Sequence, residues 1–370
     1  MADIERAGGP RVLIFSADIG EGHDLPARLL ADAIRARRPD ANVPIVDSLE
    51  AAGRVVHRVI REGSERTLTR FPRAYDASYF TVTRVAPIRW VASRAAYRLA
   101  RPGLAAVIAD VAPDVIVSTY PGVNEVLGHM RRRGELDIPL VSAITDLAAL
   151  RFWAHPQFDL HLMIHAESAA EVRARAGTRT RVAHVSGLTD PRFLEPRDGA
   201  AARRELDLPD GEPVVLISGG GWGVGDLEGA TRVALEVASD ATVVVLCGRN
   251  DAMRTRFDEL FAGEDRVRTI GFTDRMPDWL AAADVLIHST AGLTVLEAQI
   301  RGTRVISYGW GVGHIRANNR AYRDFGLADV ASSPSEVGAA LASALRSPRA
   351  PDLSLAELAS AADLVLELVP

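Results

Sequence analysis

Short apolar runs alternate with amphipathic stretches along most of the chain. Residues 11–16, Arg-Val-Leu-Ile-Phe-Ser, form a nearly continuous apolar run that ends in a glycine-rich turn, and residues 25–37 then place apolar side chains at helical spacing. A strand, a loop and a helix are predicted. The same unit recurs at 113–118 followed by 123–132, and its strand recurs at 139–146. Strands that lack polar alternation and are separated by helices predict parallel sheet covered on both faces. After Val185 the pattern breaks into turn residues, and a charged, proline-containing stretch runs on to Pro213. A second series starts with a strand at 213–218, a glycine loop and a helix over 226–238, and continues with strands at 242–247, 267–270, 284–288 and 303–307. The reading is a first domain over 1–190, a linker over 191–212, a second domain over 213–350 and a carboxyl-terminal helical segment over 351–370. Ligands are expected in a cleft between the carboxyl ends of the two sheets.

A length of 370 residues suits two domains of ordinary size, which agrees with the pattern. Mean hydropathy is +0.05 and no apolar run approaches the ~20 residues of a spanning helix, so a cytoplasmic protein that meets membranes only at their surface is expected. The single cysteine, Cys247, lies in an apolar run and reads as a buried small hydrophobe. A net charge of -5 argues against a nucleic-acid partner. Its distribution is uneven: all basic residues are arginine, and between Arg54 and Arg101 eleven arginines stand against Glu62, Glu65 and Asp76, with Phe71, Tyr75, Tyr79, Phe80 and Trp90 among them. That mixture suits an anionic membrane surface, since basic side chains are attracted to it and aromatic rings favour the headgroup layer. A solvated helical face is the plain alternative.

The run Gly219-Gly220-Gly221-Trp222-Gly223 joins a strand to a helix, so its N–H groups can approach an anion with few side chains in the way. Neither the dinucleotide fingerprint nor the Walker pattern fits it, and the loop equally suits close helix-to-strand packing. Downstream, Ser289-Thr290-Ala291-Gly292-Leu293-Thr294 makes a second strand-to-helix turn, with Glu297 one turn into the helix. Hydroxyls and N–H groups suit a diphosphate, and a carboxylate can accept from a ribose diol. Two such turns in one domain favour a nucleotide.

Several motifs then resemble one family. Gly271-Phe272-Thr273-Asp274-Arg275-Met276-Pro277, Ala283-Asp284-Val285, Gly292-Leu293-Thr294 and Glu297-Ala298 are similar to the donor-binding half of the monogalactosyldiacylglycerol synthase family. Ser16-Ala17-Asp18-Ile19-Gly20-Glu21-Gly22-His23, Pro72-Arg73-Ala74-Tyr75-Asp76, and Thr145-Asp146 with Trp153 resemble its amino-terminal half. The resemblance implies a GT-B fold of two Rossmann-like domains. It also implies an inverting glycosyltransferase that uses a UDP-sugar donor and a lipid acceptor such as diacylglycerol, with no metal and no cofactor. Donor contacts are then expected from Gly219, Gly220, Gly221, Trp222, Gly223, Arg249, Gly271, Phe272, Thr273, Met276, Ser289, Thr290, Ala291, Gly292, Leu293, Thr294, Glu297, His314 and Asn318.

An acceptor hydroxyl attacks well only as its proton is accepted, and histidine, with an ordinary pKa near ~6.5, suits that task at neutral pH. His23 is the expected base, with Asp18, Glu21, Asp24 and Asp146 able to orient or replace it, while Gly20, Gly22, Asp24 and Trp153 are expected on the acceptor side. The chain departs from the family pattern in two places. Ser289-Thr290-Ala291 stands where Lys-Pro-Gly is usual, so Arg249 or Arg316 is expected to supply the missing cation. Gly313-His314-Ile315-Arg316-Ala317-Asn318 replaces Gly-Gln-Glu-x-x-Asn, which leaves the donor sugar open. Transfer to a soluble acceptor, epimerisation of a UDP-sugar and nucleotide-sugar binding without turnover are the alternative functions.

Overall fold

The structure, a computed structural model, describes residues 8–18, 21–58, 72–290, 292–309, 311 and 313–370. The chain forms two compact units, one running to Thr189 and including Leu358–Pro370, the other Asp190–Glu357. In the first, strands β1 (Val12–Ser16), β2 (Ile45–Asp47), β3 (Val115–Ser118), β4 (Leu140–Ile144), β5 (Leu160–Met163) and β6 (Arg181–His184) form one sheet in the order β2-β1-β3-β4-β5-β6. In the second, β7 (Val214–Ser218), β8 (Thr242–Leu246), β9 (Val267–Ile270), β10 (Val285–His288), β11 (Arg304–Tyr308) and β12 (Asp329–Ala331) pair in the order β12-β11-β10-β7-β8-β9. Every pairing is parallel.

The apolar runs explain the layers. Each residue of β1, β3, β4, β7 and β8 is buried, as strands covered by helices on both faces require. Leu13, Phe15, Leu104, Ile116 and Leu127 share one core. Val215, Ile217, Val243, Val285 and Val337 share another. Cys247 lies in the second core, and burial pushes its thiol up to about 11, which makes it inert at neutral pH.

Two boundaries differ from the sequence reading. The stretch 191–212 is not a bare linker, because Pro191–Leu194 is a 3-10 turn and the helix Gly199–Glu205 packs on Met276–Ala282. Arg203 donates to Asp284 at 2.7 Å and Arg197 to Asp278 at 2.8 Å, so the charges that suggested a solvated linker are pairs holding it to the second unit. Nor is 351–370 one helix. A 3-10 turn at Ser354–Glu357 belongs to the second unit, whereas the helix Ala361–Leu366 returns to the first and packs on Glu21–Arg37, with Ser186 N donating to Ala359 O at 3.1 Å.

Candidate functional site

Parallel sheets bind ligands at the carboxyl ends of the strands where the winding reverses. In the first sheet the reversal lies between β1 and β3, and in the second between β7 and β10. Of the expected site residues, His23 follows β1, the glycine loop follows β7 and the turn from Ser289 to Glu297 follows β10, whereas Asp146 and Trp153 follow β4, Arg249 follows β8, Gly271 to Met276 follow β9, and His314 and Asn318 follow β11.

In the first unit the helix Glu21–Arg37 leaves the end of β1, placing His23 beside the chain that leaves β3. His23 Nδ1 lies 2.9 Å from the Thr119 carbonyl oxygen. A carbonyl only accepts, so Nδ1 carries the proton and, in the neutral ring, Nε2 carries the lone pair. The imidazole meets Tyr120 edge-on at 5.3 Å and lies 5.8 Å from the Trp153 ring. Trp153 is 1% exposed, and its indole N–H donates to Asp146 at 2.8 Å. Its carbonyl accepts from Asn124 and Ser142 at 3.0 and 2.9 Å. Trp153 therefore backs His23 rather than offering a surface to an acceptor, and Asp146 orients Trp153.

Asp24 accepts from the Ser16 hydroxyl at the end of β1, and burial is the largest influence raising its carboxyl pKa. Asp18 donates its N–H to Asp47 at 3.1 Å. Gly22 is exposed, and its carbonyl accepts from Thr145 at 3.4 Å. Gly20 and the Glu21 side chain lie outside the described residues.

In the second unit the glycine loop after β7 is tightly folded. A Cβ on Gly219 would sit 2.4 Å from Val224 N, while Gly223, at φ 64°, faces Cys247 O and Met253. These glycines satisfy a packing need, and the loop spends part of its N–H set on itself: Gly220 N donates to Ser218 Oγ at 3.2 Å, Gly223 N to Gly220 O at 3.1 Å and Val224 N to Gly219 O at 2.8 Å. The following helix, Leu227–Val237, is not an open anion site, because the Asp226 carboxylate caps it by accepting from Gly229 N at 2.9 Å and from the Tyr308 hydroxyl at 2.8 Å. The helix after β10 differs. Leu293–Ile300 begins at Gly292 with no side-chain cap, so its positive end can attract an anion.

Arg249 donates its N–H to Gly221 O at 2.9 Å, and its guanidinium lies 4.0 Å from the centroid of Phe272, which is 53% exposed. Gly271 follows β9, Thr273 accepts from Arg275 N at 3.0 Å, and Met276 opens the helix Met276–Ala282. Arg316 donates to Gly311 O. Asn318 is buried and donates to His314 O at 3.0 Å, whereas the His314 side chain is exposed. Ala291 and the Trp222 side chain lie outside the described residues, while Leu293 and Thr294 occupy the first turn after Gly292. Glu297 is not an ordinary exposed helix residue. It is 5% exposed, and burial, reinforced by Asp190, pushes its carboxyl up to about 8.

Thr119, Tyr120 and His288 were not singled out from the sequence. Thr119 acts through its backbone carbonyl, which no residue type signals, although its place just after a strand at the reversal point does. Among the described residues, no group of three or more His, Cys, Asp or Glu side chains is placed to hold a metal ion.

The described architecture matches known proteins. The family model for monogalactosyldiacylglycerol (MGDG) synthase matches residues 23–189. The processive diacylglycerol beta-glucosyltransferase of Bacillus subtilis is 24% identical over 331 residues, covering 88% of this chain and 85% of that protein. Monogalactosyldiacylglycerol synthase 1 of Arabidopsis thaliana is 26% identical over 354 residues, covering 88% of this chain but only 63% of the plant protein. Among solved structures, Acinetobacter baumannii MurG aligns with a TM-score of 0.59 at 14% identity, covering 98% of this chain and 99% of that one. The glycosyltransferase of kitacinnamycin aligns at 0.61 and 16%, covering 99% and 100%. The fold is GT-B.

Proposed function

The chain is a glycosyltransferase related to the monogalactosyldiacylglycerol synthases, and on that premise we propose that it moves a hexose from a UDP-sugar onto a lipid acceptor such as diacylglycerol, with inversion and without a metal. The observation that carries this reading is His23. Thr119 fixes its tautomer, leaving Nε2 as the base, at the reversal point of the first sheet. In the proposed step Nε2 accepts the proton of the acceptor hydroxyl while that oxygen attacks the anomeric carbon from the face opposite the diphosphate. The bond from the anomeric carbon to the diphosphate oxygen breaks, and UDP leaves with its electron pair. Negative charge gathers on the leaving group. Loop N–H groups and the uncapped start of Leu293–Ile300 offer it fixed dipoles.

Release of UDP from UDP-glucose and UDP-galactose, measured with and without diacylglycerol in mixed micelles, tests the reading. Release that depends on diacylglycerol supports it, and a product of unchanged anomeric configuration would refute inversion. Activity that survives chelation supports transfer without a metal, and loss restored by added divalent metal refutes it.

The lipid part has its own support. The helices Pro72–Arg84 and Ala86–Val111 expose Phe80, Ile88, Trp90, Val91 and Leu99, and Trp90 and Val91 are 60% and 58% exposed. Arg84 lies over Phe80 at 4.9 Å and Arg94 over Trp90 at 4.5 Å, so each of these exposed rings carries a cation on its face. The charged stretch 59–71 lies outside the described residues. Among the described residues, no helix is long and apolar enough to cross a membrane, and surface attachment is proposed instead. Trp90→Ala combined with Val91→Ser is expected to reduce sedimentation with anionic vesicles roughly tenfold, in line with the apolar area removed. UDP affinity should not change. Sedimentation of the wild type that ignores anionic lipid content would count against the surface.

A further inference from the structure

The turn after β10, where the lysine of the family pattern is missing, holds a hydrogen-bond chain that fixes which way its hydroxyls point. His288, the last residue of β10, is 1% exposed. Its Nδ1 lies 3.0 Å from the Ser218 carbonyl at the end of β7, and its Nε2 lies 2.9 Å from Thr290 Oγ1. Since a carbonyl only accepts, Nδ1 is the protonated nitrogen and Nε2 an acceptor in the neutral ring. Burial lowers the His288 pKa to about 4, so the ring is neutral near pH 7. The Thr290 hydroxyl must therefore donate to His288. Ser289 is committed in the same way, because its hydroxyl donates to the Val224 carbonyl. Thr290 Oγ1 also borders the glycine loop, lying 3.1 Å from where a Cβ on Gly220 would stand.

A hydroxyl whose proton is spent offers only lone pairs to a ligand. Diphosphate oxygens also offer only lone pairs, so Thr290 would repel them rather than bind them. A ligand hydroxyl can donate to it. Building on the proposed use of a nucleotide-sugar donor, we infer that His288 is a positioning residue that makes Thr290 a hydrogen-bond acceptor, and that Thr290 reads a hydroxyl of the donor, from its hexose or its ribose. The diphosphate is left to backbone N–H groups and the helix start. This inverts the expectation that Ser289 and Thr290 bind the diphosphate by donating to it.

Calorimetry on the full chain with UDP-glucose, UDP and inorganic pyrophosphate tests this. Thr290→Val is expected to weaken UDP-glucose about tenfold and to leave pyrophosphate affinity equal or slightly higher, while Thr290→Ser restores UDP-glucose binding. Loss confined to UDP-glucose assigns the hydroxyl to the hexose, and equal loss for UDP and UDP-glucose assigns it to the ribose. Both results support the inference. His288→Phe removes the acceptor and frees the Thr290 proton, so pyrophosphate affinity should rise severalfold, a gain that loss of structure does not produce. The Thr290 variants carry the test if His288→Phe does not fold. Thr290→Val that weakens pyrophosphate as much as UDP-glucose, or that changes neither, overturns the inference alone. A wild-type chain that binds none of the three probes overturns it together with the reading on which it rests.

Discussion

Replacing His23 with alanine is expected to lower turnover about 10³-fold, within the 10²–10⁴ range of a positioned general base, and to leave UDP affinity unchanged. The residue sits in the first unit and the nucleotide is assigned to the second, so the two effects should separate. The 2.9 Å contact from Nδ1 to Thr119 O serves orientation, and loss of the ring removes both the base and that bond. His23→Gln distinguishes them, because a glutamine amide can still donate to the carbonyl but cannot take up a proton at neutral pH. Equal losses in the two variants assign the effect to proton acceptance. Initial rates with UDP-glucose and diacylglycerol micelles, beside UDP titration, measure it. Near-normal turnover in His23→Ala removes His23 from the mechanism, and near-normal turnover in His23→Gln alone removes it as the base.

Most of the strands that were legible in the sequence share one property. β1, β3, β4, β7, β8 and β10 are buried throughout, so every position but His288 is apolar or small and the run stands out; β9 and β11 were read as well, although no residue of β9 is fully buried. The edge strands β2, β6 and β12 were not read, whereas the edge strand β9 was. β2 has three residues, none of them fully buried, and β6 reads Arg-Val-Ala-His with no fully buried position. β5 is wholly buried but carries His161 in its middle, which breaks the apolar signal. Order within each sheet, and thus its reversal point, is a tertiary property that no local pattern carries.

Residue types at the site were easier to read than their directions. His23 stood out because the motif around it resembles that of the family and an imidazole suits a base at neutral pH. Its controlling partner is a backbone oxygen, which has no signature. Asp226 shows the converse: the start of a helix after a glycine loop looked like an anion site, and the carboxylate that caps it is visible only once Gly229 and Tyr308 are placed around it. Ser289 and Thr290 are the sharpest case. Their hydroxyls were legible as polar, but whether each gives or takes a proton depends on Val224 O and His288 Nε2.

Glu297 should make donor binding and stability respond to pH in opposite directions. Burial pushes its carboxyl from 4.5 up to about 8, so the folded chain holds the proton more tightly than the unfolded one. Below about pH 4.5 both states are protonated and there is no penalty. As pH rises from there towards about 8, the unfolded chain ionises and the folded one does not, so stability falls. At pH 7 the loss is on the order of 3 kcal/mol at most, since local relaxation reduces it. Glu297→Gln removes it. Melting temperatures of variant and wild type should therefore converge near pH 4.5 and separate as pH rises, with the variant the more stable. If the ionised carboxylate accepts from a ribose diol, binding must release that proton, so affinity for UDP-glucose should rise with pH up to about 8. The diphosphate of UDP-glucose does not titrate in this range, which isolates the protein group. Glu297→Gln should flatten the pH profile and weaken UDP-glucose by roughly 10- to 100-fold, the effect of a lost charge-assisted pair. Calorimetry in buffers of different ionisation enthalpy counts the proton directly. A wild-type affinity that is flat between pH 6 and 8.5, or a variant that binds UDP-glucose as tightly as the wild type, would place Glu297 outside the donor site and leave it a buried acid that only destabilises the fold.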